Sequence, residues 1–129
     1  MIILNGIDII DIRRIKKTLI RFGDRFKQKC FSNHEIKRSD SKKNLVESYA
    51  KRYAAKEACA KALGTGFSGN LNFKDIEIVN DKKGKPYYLK SKKISKIIHK
   101  NFNIKKYNCF LSISDEKDYS TAFTIIQSI

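Results

Sequence analysis

The sequence predicts a single α+β domain in which a long central helix packs on a mostly antiparallel sheet. A chain of 129 residues suits one domain with a modest hydrophobic core. Residues 44–63 have the composition of a long helix, and apolar strand-like runs lie near both ends of the chain. The last two runs, about 107–114 and 119–127, flank a short charged segment and predict an antiparallel hairpin. No repeat or second domain is evident, so residues 1–129 are interpreted as one domain.

The central helix is defined by its ends and its composition. Asn44 is a good N-cap residue, and Glu47 three positions later completes a capping-box pattern. Alanine, which has the highest helix propensity, dominates the segment that follows. Gly64 stands where a helix commonly ends in the left-handed conformation. The helix is therefore predicted to run from about 44 to 63, roughly 30 Å at 1.5 Å per residue.

Glu57 lies in the middle of the predicted apolar face of this helix, and Lys61 follows one turn later on the same side. A carboxylate in that position would lose hydration, which is costly unless a cation or hydrogen bonds compensate. Two interpretations remain open. One is an ordinary Glu57–Lys61 ion pair, and the other is a metal-binding or catalytic carboxylate. The apolar face consists of residues at helical spacing: Val46, Ala50, Tyr53, Ala54 and Ala60.

The first strand carries a second carboxylate in an apolar setting. Residues 2–10 contain five isoleucines and one leucine, which predicts a strand buried on both faces. Asp8 interrupts this run. A buried aspartate must form an ion pair, cap another element or bind a cation. A role at a strand end or as an N-cap is the plainer alternative.

A basic amphipathic helix is predicted over residues 12–23, with Asp11 as its N-cap. Basic side chains dominate its outer surface and continue to Arg25 beyond its end. Such a surface is either simply solvated or a docking site for an acidic partner, for which charge governs the association rate. The inner face consists of Ile12, Ile15, Leu19 and Phe22, and the outer arginines are Arg13, Arg14 and Arg21.

The middle of the chain contains shorter motifs. Ser32 and Glu35 form a capping box that opens a short helix, so Glu35 is explained as a structural residue. After the long helix, the small residues of 64–70, including Gly69, form a connection whose backbone amides could approach a phosphate closely. The following segments predict a strand at 73–79, a turn that leads through Pro86 into a strand at 87–89, and a helix at 91–100.

Composition restricts the class of protein. The net charge of +15 and a pI near 9.8 favour an acidic partner, although part of this charge can be a solvated surface. A small nucleic-acid-binding module is one alternative, but the aromatic residues are not interleaved with basic ones as a stacking platform requires. No apolar run is long enough to span a membrane, and the first residues lack the features of a signal peptide. We therefore expect a cytoplasmic protein without a nucleic-acid or membrane partner.

Three scattered cysteines, Cys30, Cys59 and Cys109, form no CxxC pair. Their odd number argues against a disulfide framework. Because the two histidines lie apart from any cysteine pair, a structural zinc site is not expected. The three thiols are interpreted as small buried hydrophobic groups.

Four blocks of sequence, taken together, resemble one enzyme family. Residues 6–15 read GIDIIDIRRI, and residues 52–66 read RYAAKEACAKALGTG. Residues 75–78 precede the Gly84-Lys85-Pro86 block, and residues 111–116 precede Tyr119 and Ala122. In this order, the blocks resemble the holo-[acyl-carrier-protein] synthases, the last block in its proteobacterial form. The resemblance covers nearly the whole chain, and its second block is the most specific.

The resemblance implies the 4′-phosphopantetheinyl transferase fold and the family's reaction. That reaction moves 4′-phosphopantetheine from coenzyme A to a serine of apo acyl carrier protein and releases 3′,5′-ADP, in fatty acid biosynthesis. The resemblance also implies a Mg²⁺-dependent homotrimer with each active site at a subunit interface. Asp8 and Glu57 would bind Mg²⁺, and Lys61 would neutralise charge on the diphosphate. The serine would lose its proton to Glu57 or to a metal-bound water.

Further assignments follow from the same resemblance. Phe110 is a departure, because many family members carry a histidine at this position and phenylalanine cannot act as a base. Residues implied to bind coenzyme A are Arg52, Lys56, Gly64, Thr65, Gly66, Lys85, Pro86 and Ser112. Residues implied to meet the acidic carrier protein are Arg13, Arg14, Arg21 and Arg25.

Overall fold

The computed structural model of the protein describes residues 1–68 and 70–129, and it confirms the α+β fold class. Gly69, part of the predicted connection after the long helix, lies outside the described residues. In chain order the elements are β1 (Ile3–Asp11), α1 (Ile12–Phe22), α2 (Asp24–Cys30), α3 (Asn33–Asp40), α4 (Leu45–Leu63), a 3₁₀ turn (Phe73–Asp75), β2 (Ile78–Asn80), β3 (Pro86–Tyr88), α5 (Lys92–Phe102), β4 (Tyr107–Asp115) and β5 (Tyr119–Ser128).

The main sheet is antiparallel and has the strand order β1-β5-β4. Its register places Ile7 opposite Phe123, and Phe123 opposite Ser112. The two ends of the chain therefore meet in one sheet, and the predicted β4–β5 hairpin is confirmed. Strands β2 and β3 form a separate antiparallel hairpin.

Helix α4 lies against β1 and β5 of the main sheet and forms the centre of the core. Most of its residues are buried, and many of them are alanines. Small side chains allow the helix backbone to approach the sheet closely. At Gly6 of β1, an added Cβ atom would collide with the carbonyl oxygen of Ala58 and lie 2.6 Å from the nitrogen of Ala62. Only glycine therefore fits at position 6.

An aromatic cluster joins α2 and the residue after it to α4. Phe31 and Tyr49 are fully buried with ring centroids 5.0 Å apart, and Phe26 lies edge-on to Phe31 at 5.6 Å. Asp11 caps α1 by accepting a hydrogen bond from the amide of Arg13, as predicted. None of the described helices is both long enough and apolar enough to cross a membrane.

Most predicted helix ends agree with the structure, although α5 continues to Phe102, two residues beyond its predicted end. Gly64 has a φ of 76° and ends α4 in the left-handed conformation. The Ser32–Glu35 capping box is present at the start of α3. The predicted capping box at Asn44 is wrong, because the Asn44 side chain bonds to the carboxylate of Glu47 rather than to the helix backbone.

Two further strand predictions need correction. The single chain does not bury both faces of β1: Gly6 and Ile10 face inward, whereas Ile7 and Ile9 are exposed. Residues 73–79 do not form one strand. Their first part is a 3₁₀ turn and only Ile78 and Val79 belong to β2, because Asp75 caps the turn by accepting from the amide of Asn72.

Replacing Gly6 with alanine tests the close approach of α4 to β1. We expect Gly6→Ala to lower the Tm by at least about 10 °C, because the new methyl group must displace helix backbone. Asn5→Ala, on the exposed face of the same strand, is the control and should leave the Tm nearly unchanged. Thermal unfolding followed by circular dichroism measures both. Equal Tm values for the two variants would contradict the close packing.

Candidate active site

Asp8, Glu57 and Lys61 come together where β1 faces helix α4. The Lys61 ammonium donates hydrogen bonds to the Asp8 carboxylate and to the backbone carbonyl of Ile7, both at 3.0 Å. The Asp8 side chain is only 14% exposed, whereas the Lys61 side chain is 53% exposed. Lys61 therefore pairs with Asp8 rather than with Glu57. Among the described residues, the third N–H group of its ammonium is free to donate to a ligand that approaches from solvent.

The Glu57 carboxyl lies in an unfavourable environment for a negative charge. Partial burial raises its pKa above the ordinary value, and the nearby charge of Asp8 raises it further. Lys61 and a hydrogen bond from Tyr53 oppose this effect. Two carboxyl groups therefore share a partly buried position with too little positive charge to balance them.

A divalent cation fits this arrangement. The donors are hard carboxylate oxygens, and the mutual repulsion of Asp8 and Glu57 would be relieved by a doubly charged ion. Within the described part of the chain, no three His, Cys, Asp or Glu side chains form a metal cage. Two carboxylates suit Mg²⁺, which usually keeps several waters and completes its shell with substrate phosphates.

A separate cleft of about 350 Å³ contains four of the residues that the sequence assigned to the coenzyme: Arg52, Lys85, Pro86 and Ser112. Its rim is the turn between β2 and β3. Asp81 orders this turn by accepting from the amides of Lys83 and Lys85, both at 2.9 Å, and Gly84 adopts a φ of 89°. The turn therefore presents Lys85 and Pro86 on a rigid backbone.

The loop after α4 lies beside a third surface. Gly64 and Thr65 line a groove of about 910 Å³ together with lysines of α5. Gly66 has a φ of 57°, so the loop turns sharply after Thr65. This groove has a strongly positive wall that the sequence assignment missed, although the spacing of four between Lys92, Lys96 and Lys100 was a visible signal.

Lys56 is not placed to bind a ligand. Its ammonium is fully buried and donates to the Glu35 carboxylate at 2.8 Å and to the carbonyls of Phe73 and Ile76. All three N–H groups are used by the protein itself. The assignment of Lys56 to coenzyme A phosphates is therefore wrong, because the helix turns this side chain into the core.

The arginine side chains of α1 and of Arg25 beyond it differ in whether other residues of the chain hold them by hydrogen bonds. Arg13 forms two hydrogen bonds with the Asp11 carboxylate, at 2.8 and 2.9 Å, and a third with the Tyr119 hydroxyl at 3.3 Å. It is thereby tied to the start of its own helix. Arg14 and Arg25 are exposed, and Arg21 is exposed beside the ring of Phe22.

The outer face of the sheet bears Phe110, which stands where a histidine was expected from the family pattern. Phe110 is 51% exposed and lies opposite Ile125 in the β4–β5 register. The sequence assignment also missed two polar residues that line the cleft of Arg52 and Lys85. Asn80 and Asp115 line it, but no local pattern distinguishes them from ordinary turn residues.

Comparison with known proteins agrees with this arrangement. The family model described as the 4′-phosphopantetheinyl transferase superfamily matches residues 5–124. The chain therefore belongs to that superfamily. A holo-[acyl-carrier-protein] synthase of Pelagibacter ubique is 50% identical over 122 residues, which cover 95% of this chain and 94% of the relative. This full-length similarity places the chain among the holo-[acyl-carrier-protein] synthases.

Solved structures show the same fold. A holo-[acyl-carrier-protein] synthase from Neisseria meningitidis superposes with a TM-score of 0.84 at 34% identity, covering 97% of this chain and 98% of the other. The Helicobacter pylori enzyme, solved in complex with coenzyme A, has a TM-score of 0.81 at 34% identity. That match covers 96% of this chain and all of the other. The expected fold is thus confirmed beyond its general class.

Replacing Glu57 with glutamine should make the metal-free protein more stable at neutral pH. Because the Glu57 pKa is raised on folding, the ionised carboxylate costs stability above that raised pKa. The cost is absent below the ordinary unfolded pKa, so the Tm gain of Glu57→Gln should disappear in acid. Thermal unfolding from pH 3 to 8 in EDTA measures this difference.

The control for this experiment is Glu116→Gln, an exposed carboxylate in the β4–β5 turn, whose Tm should follow the wild type. Addition of Mg²⁺ should raise the Tm of the wild type and of the control, but not that of Glu57→Gln, because only a bound ion stabilises the folded state. An equal response to Mg²⁺ in all three proteins would contradict the metal site.

Proposed function

We propose that Asp8, Glu57 and Lys61 form the reaction centre of a holo-[acyl-carrier-protein] synthase. In this reaction, the carrier-protein serine oxygen attacks the β-phosphorus of coenzyme A, and the bond to 3′,5′-ADP breaks. The observation that carries the proposal is that the neighbouring carboxyl groups of Asp8 and Glu57 lie beside Lys61, whose side chain remains accessible to solvent. The product is carrier protein that bears 4′-phosphopantetheine, which fatty acid biosynthesis requires.

The protein groups contribute mainly charge and position, as is general for phosphoryl transfer. Lys61, whose ammonium is already oriented by Asp8 and the Ile7 carbonyl, is placed to neutralise charge on the diphosphate. Glu57 is proposed to accept the serine proton directly or through an adjacent water. When bound by Asp8 and Glu57, Mg²⁺ would supply further charge neutralisation at the phosphates.

The residues proposed to bind coenzyme A and the residues of the reaction centre lie on different sides of α4 in one chain. Arg52 and Glu57 are five positions apart on α4, which separates them by roughly 140° around the helix at 3.6 residues per turn. Consistent with this, the cleft with Arg52 and Lys85 does not include Asp8, Glu57 or Lys61 among its lining residues. One coenzyme molecule is therefore proposed to contact the cleft of one subunit and the carboxylates and Gly64–Gly66 loop of another.

The outer face of the main sheet supports such an assembly, which we propose to be a homotrimer. This face carries a patch of exposed large apolar side chains that a single chain leaves in water: Ile3, Ile7, Ile9, Phe110 and Phe123. Exposed apolar patches of this kind commonly mark protein interfaces. Burial in a trimer would also explain why β1 is isoleucine-rich on both faces.

The exposed arginines near α1 are the proposed contact for an acidic carrier protein. Arg14, Arg21 and Arg25 are available for this purpose, whereas Arg13 is held by Asp11 and Tyr119. The basic charge of the chain is therefore proposed to serve carrier-protein docking, and the comparisons give the nucleic-acid alternative no support. A cytoplasmic location, where thiols such as the three free cysteines stay reduced, is part of the proposal.

The direct test is mass spectrometry of apo carrier protein incubated with coenzyme A, Mg²⁺ and this protein. The carrier protein should gain one phosphopantetheinyl group. Asp8→Asn and, in the coenzyme cleft, Lys85→Glu should each lower the rate by orders of magnitude. If sites are shared between subunits, the two inactive variants refolded together should regain activity, because some sites then combine two wild-type halves.

The matched control is each variant refolded alone, which should stay inactive. Absence of any recovery in the mixture, with mixed oligomers verified by native mass spectrometry, would contradict the shared site. Full wild-type activity of a protein that sediments only as a monomer would contradict the trimer itself.

Charge reversal on α1 tests the docking surface. The double variant Arg14→Glu and Arg21→Glu should raise the KM for carrier protein at least about tenfold and leave the KM for coenzyme A nearly unchanged. Added salt should weaken the wild type in the same way, since exposed charges are screened within about 10 Å at 0.1 M. Equal loss for both substrates would show that the helix supports the active site instead.

A further inference from the structure

A buried carboxylate at the start of α3 holds two cations of α4. Glu35 is fully buried, and its Oε1 atom accepts from the Lys56 ammonium at 2.8 Å and from the Ser32 amide at 2.9 Å. Its Oε2 atom accepts from the Ile78 amide at 3.1 Å and lies 4.0 Å from Nε of Arg52. One side chain thus joins α3, α4 and the first residue of β2.

The Arg52 guanidinium continues this network toward the coenzyme cleft. Arg52 is only 5% exposed, and its Nη2 atom donates to the Asn80 side-chain oxygen at 2.6 Å. Asn80 in turn donates to the carbonyl of Gly84 at 3.0 Å, in the turn that presents Lys85. Arg52, Asn80, Gly84 and Lys85 all line the cleft.

The contact between Glu35 and Arg52 is electrostatic rather than a full hydrogen bond. Among the described residues, Nε of Arg52 is buried and has no hydrogen-bond partner, and the Glu35 carboxylate is the negative charge that it faces. A buried guanidinium without a counter-charge would be strongly unfavourable. The position of Arg52 at the cleft wall therefore depends on Glu35.

We propose that Glu35 is a positioning residue for coenzyme A binding. Through Arg52 and Asn80 it fixes the wall and the rim of the cleft, so that Arg52 and Lys85 meet the coenzyme phosphates without rearrangement. The inference rests on the role of Arg52 in the proposed function. Glu35 itself touches no substrate, and its capping bond to Ser32 alone requires neither Lys56 nor Arg52 beside it.

Glu35→Asp is the main test, because it keeps the charge and withdraws the carboxylate by one methylene. We expect the KM for coenzyme A to rise at least about threefold, with kcat within about twofold of wild type. Tyr49→Phe is the matched control. It removes a partly buried hydrogen bond to Asp40 across the same α3–α4 interface, so it should lower the Tm and leave both kinetic constants unchanged. All assays are run well below the lowest Tm.

Arg52→Met shows whether Glu35 acts through Arg52. This variant should raise the KM for coenzyme A at least about tenfold, and adding Glu35→Asp should raise it no further, because residues acting as a unit are not additive. A lower Tm for Glu35→Asp with an unchanged KM would overturn the inference and leave Glu35 a purely structural residue. Independent, multiplying effects on KM would overturn it as well.

The outcomes separate this inference from the function on which it rests. An Arg52→Met variant with a wild-type KM would remove Arg52 from the coenzyme site, and the role of Glu35 with it. Absence of transfer by the wild type would reject the function itself. Where Glu35→Asp does not fold, NMR of the wild type decides. Coenzyme A should shift the Arg52 Nε–H and Ile78 amide signals, and unshifted signals at saturation would overturn the inference.

Discussion

The close packing of α4 on the main sheet is the constraint on which the rest of the structure depends. Gly6 and a row of alanines, including Ala58 and Ala62, bring two backbones together without intervening side chains. A helix held this closely cannot rotate or slide without collision. The orientation of α4 about its own axis is therefore fixed. In this orientation Glu57 and Lys61 face Asp8, while Lys56 faces the core. The geometry of the candidate site is thus a consequence of backbone packing.

The same helix carries ionised groups into two environments. Lys56 meets a carboxylate and two carbonyls, so each N–H group of its buried ammonium has a hydrogen-bond partner. Glu57 is partly buried next to Asp8 and is not compensated by the chain alone. This difference supports the functional role proposed for Glu57, because a protein tolerates unbalanced charge where a ligand or metal completes the site.

The positions of the residues proposed to bind coenzyme A relate the candidate site to the proposed assembly. The cleft around Arg52 and the cluster around Glu57 lie on different sides of α4, and the outer sheet face exposes apolar residues such as Ile7 and Phe123. A small domain cannot cover every apolar face with its own chain. In the proposed trimer, association of copies would cover this face and bring the two proposed half-sites together.

The sequence alone determined what local forces control. The end of α4 at Gly64, the Asp11 cap and the β4–β5 hairpin follow from propensity, capping and residue period. Only tertiary structure decided the role of Lys56 and the exposed face of β1. Those properties depend on distant partners: Glu35 lies 21 positions from Lys56, and the neighbours of β1 come from the other end of the chain. A pattern of residue types shows that a charged residue lies in an apolar segment, but only the tertiary structure shows which residue it pairs with.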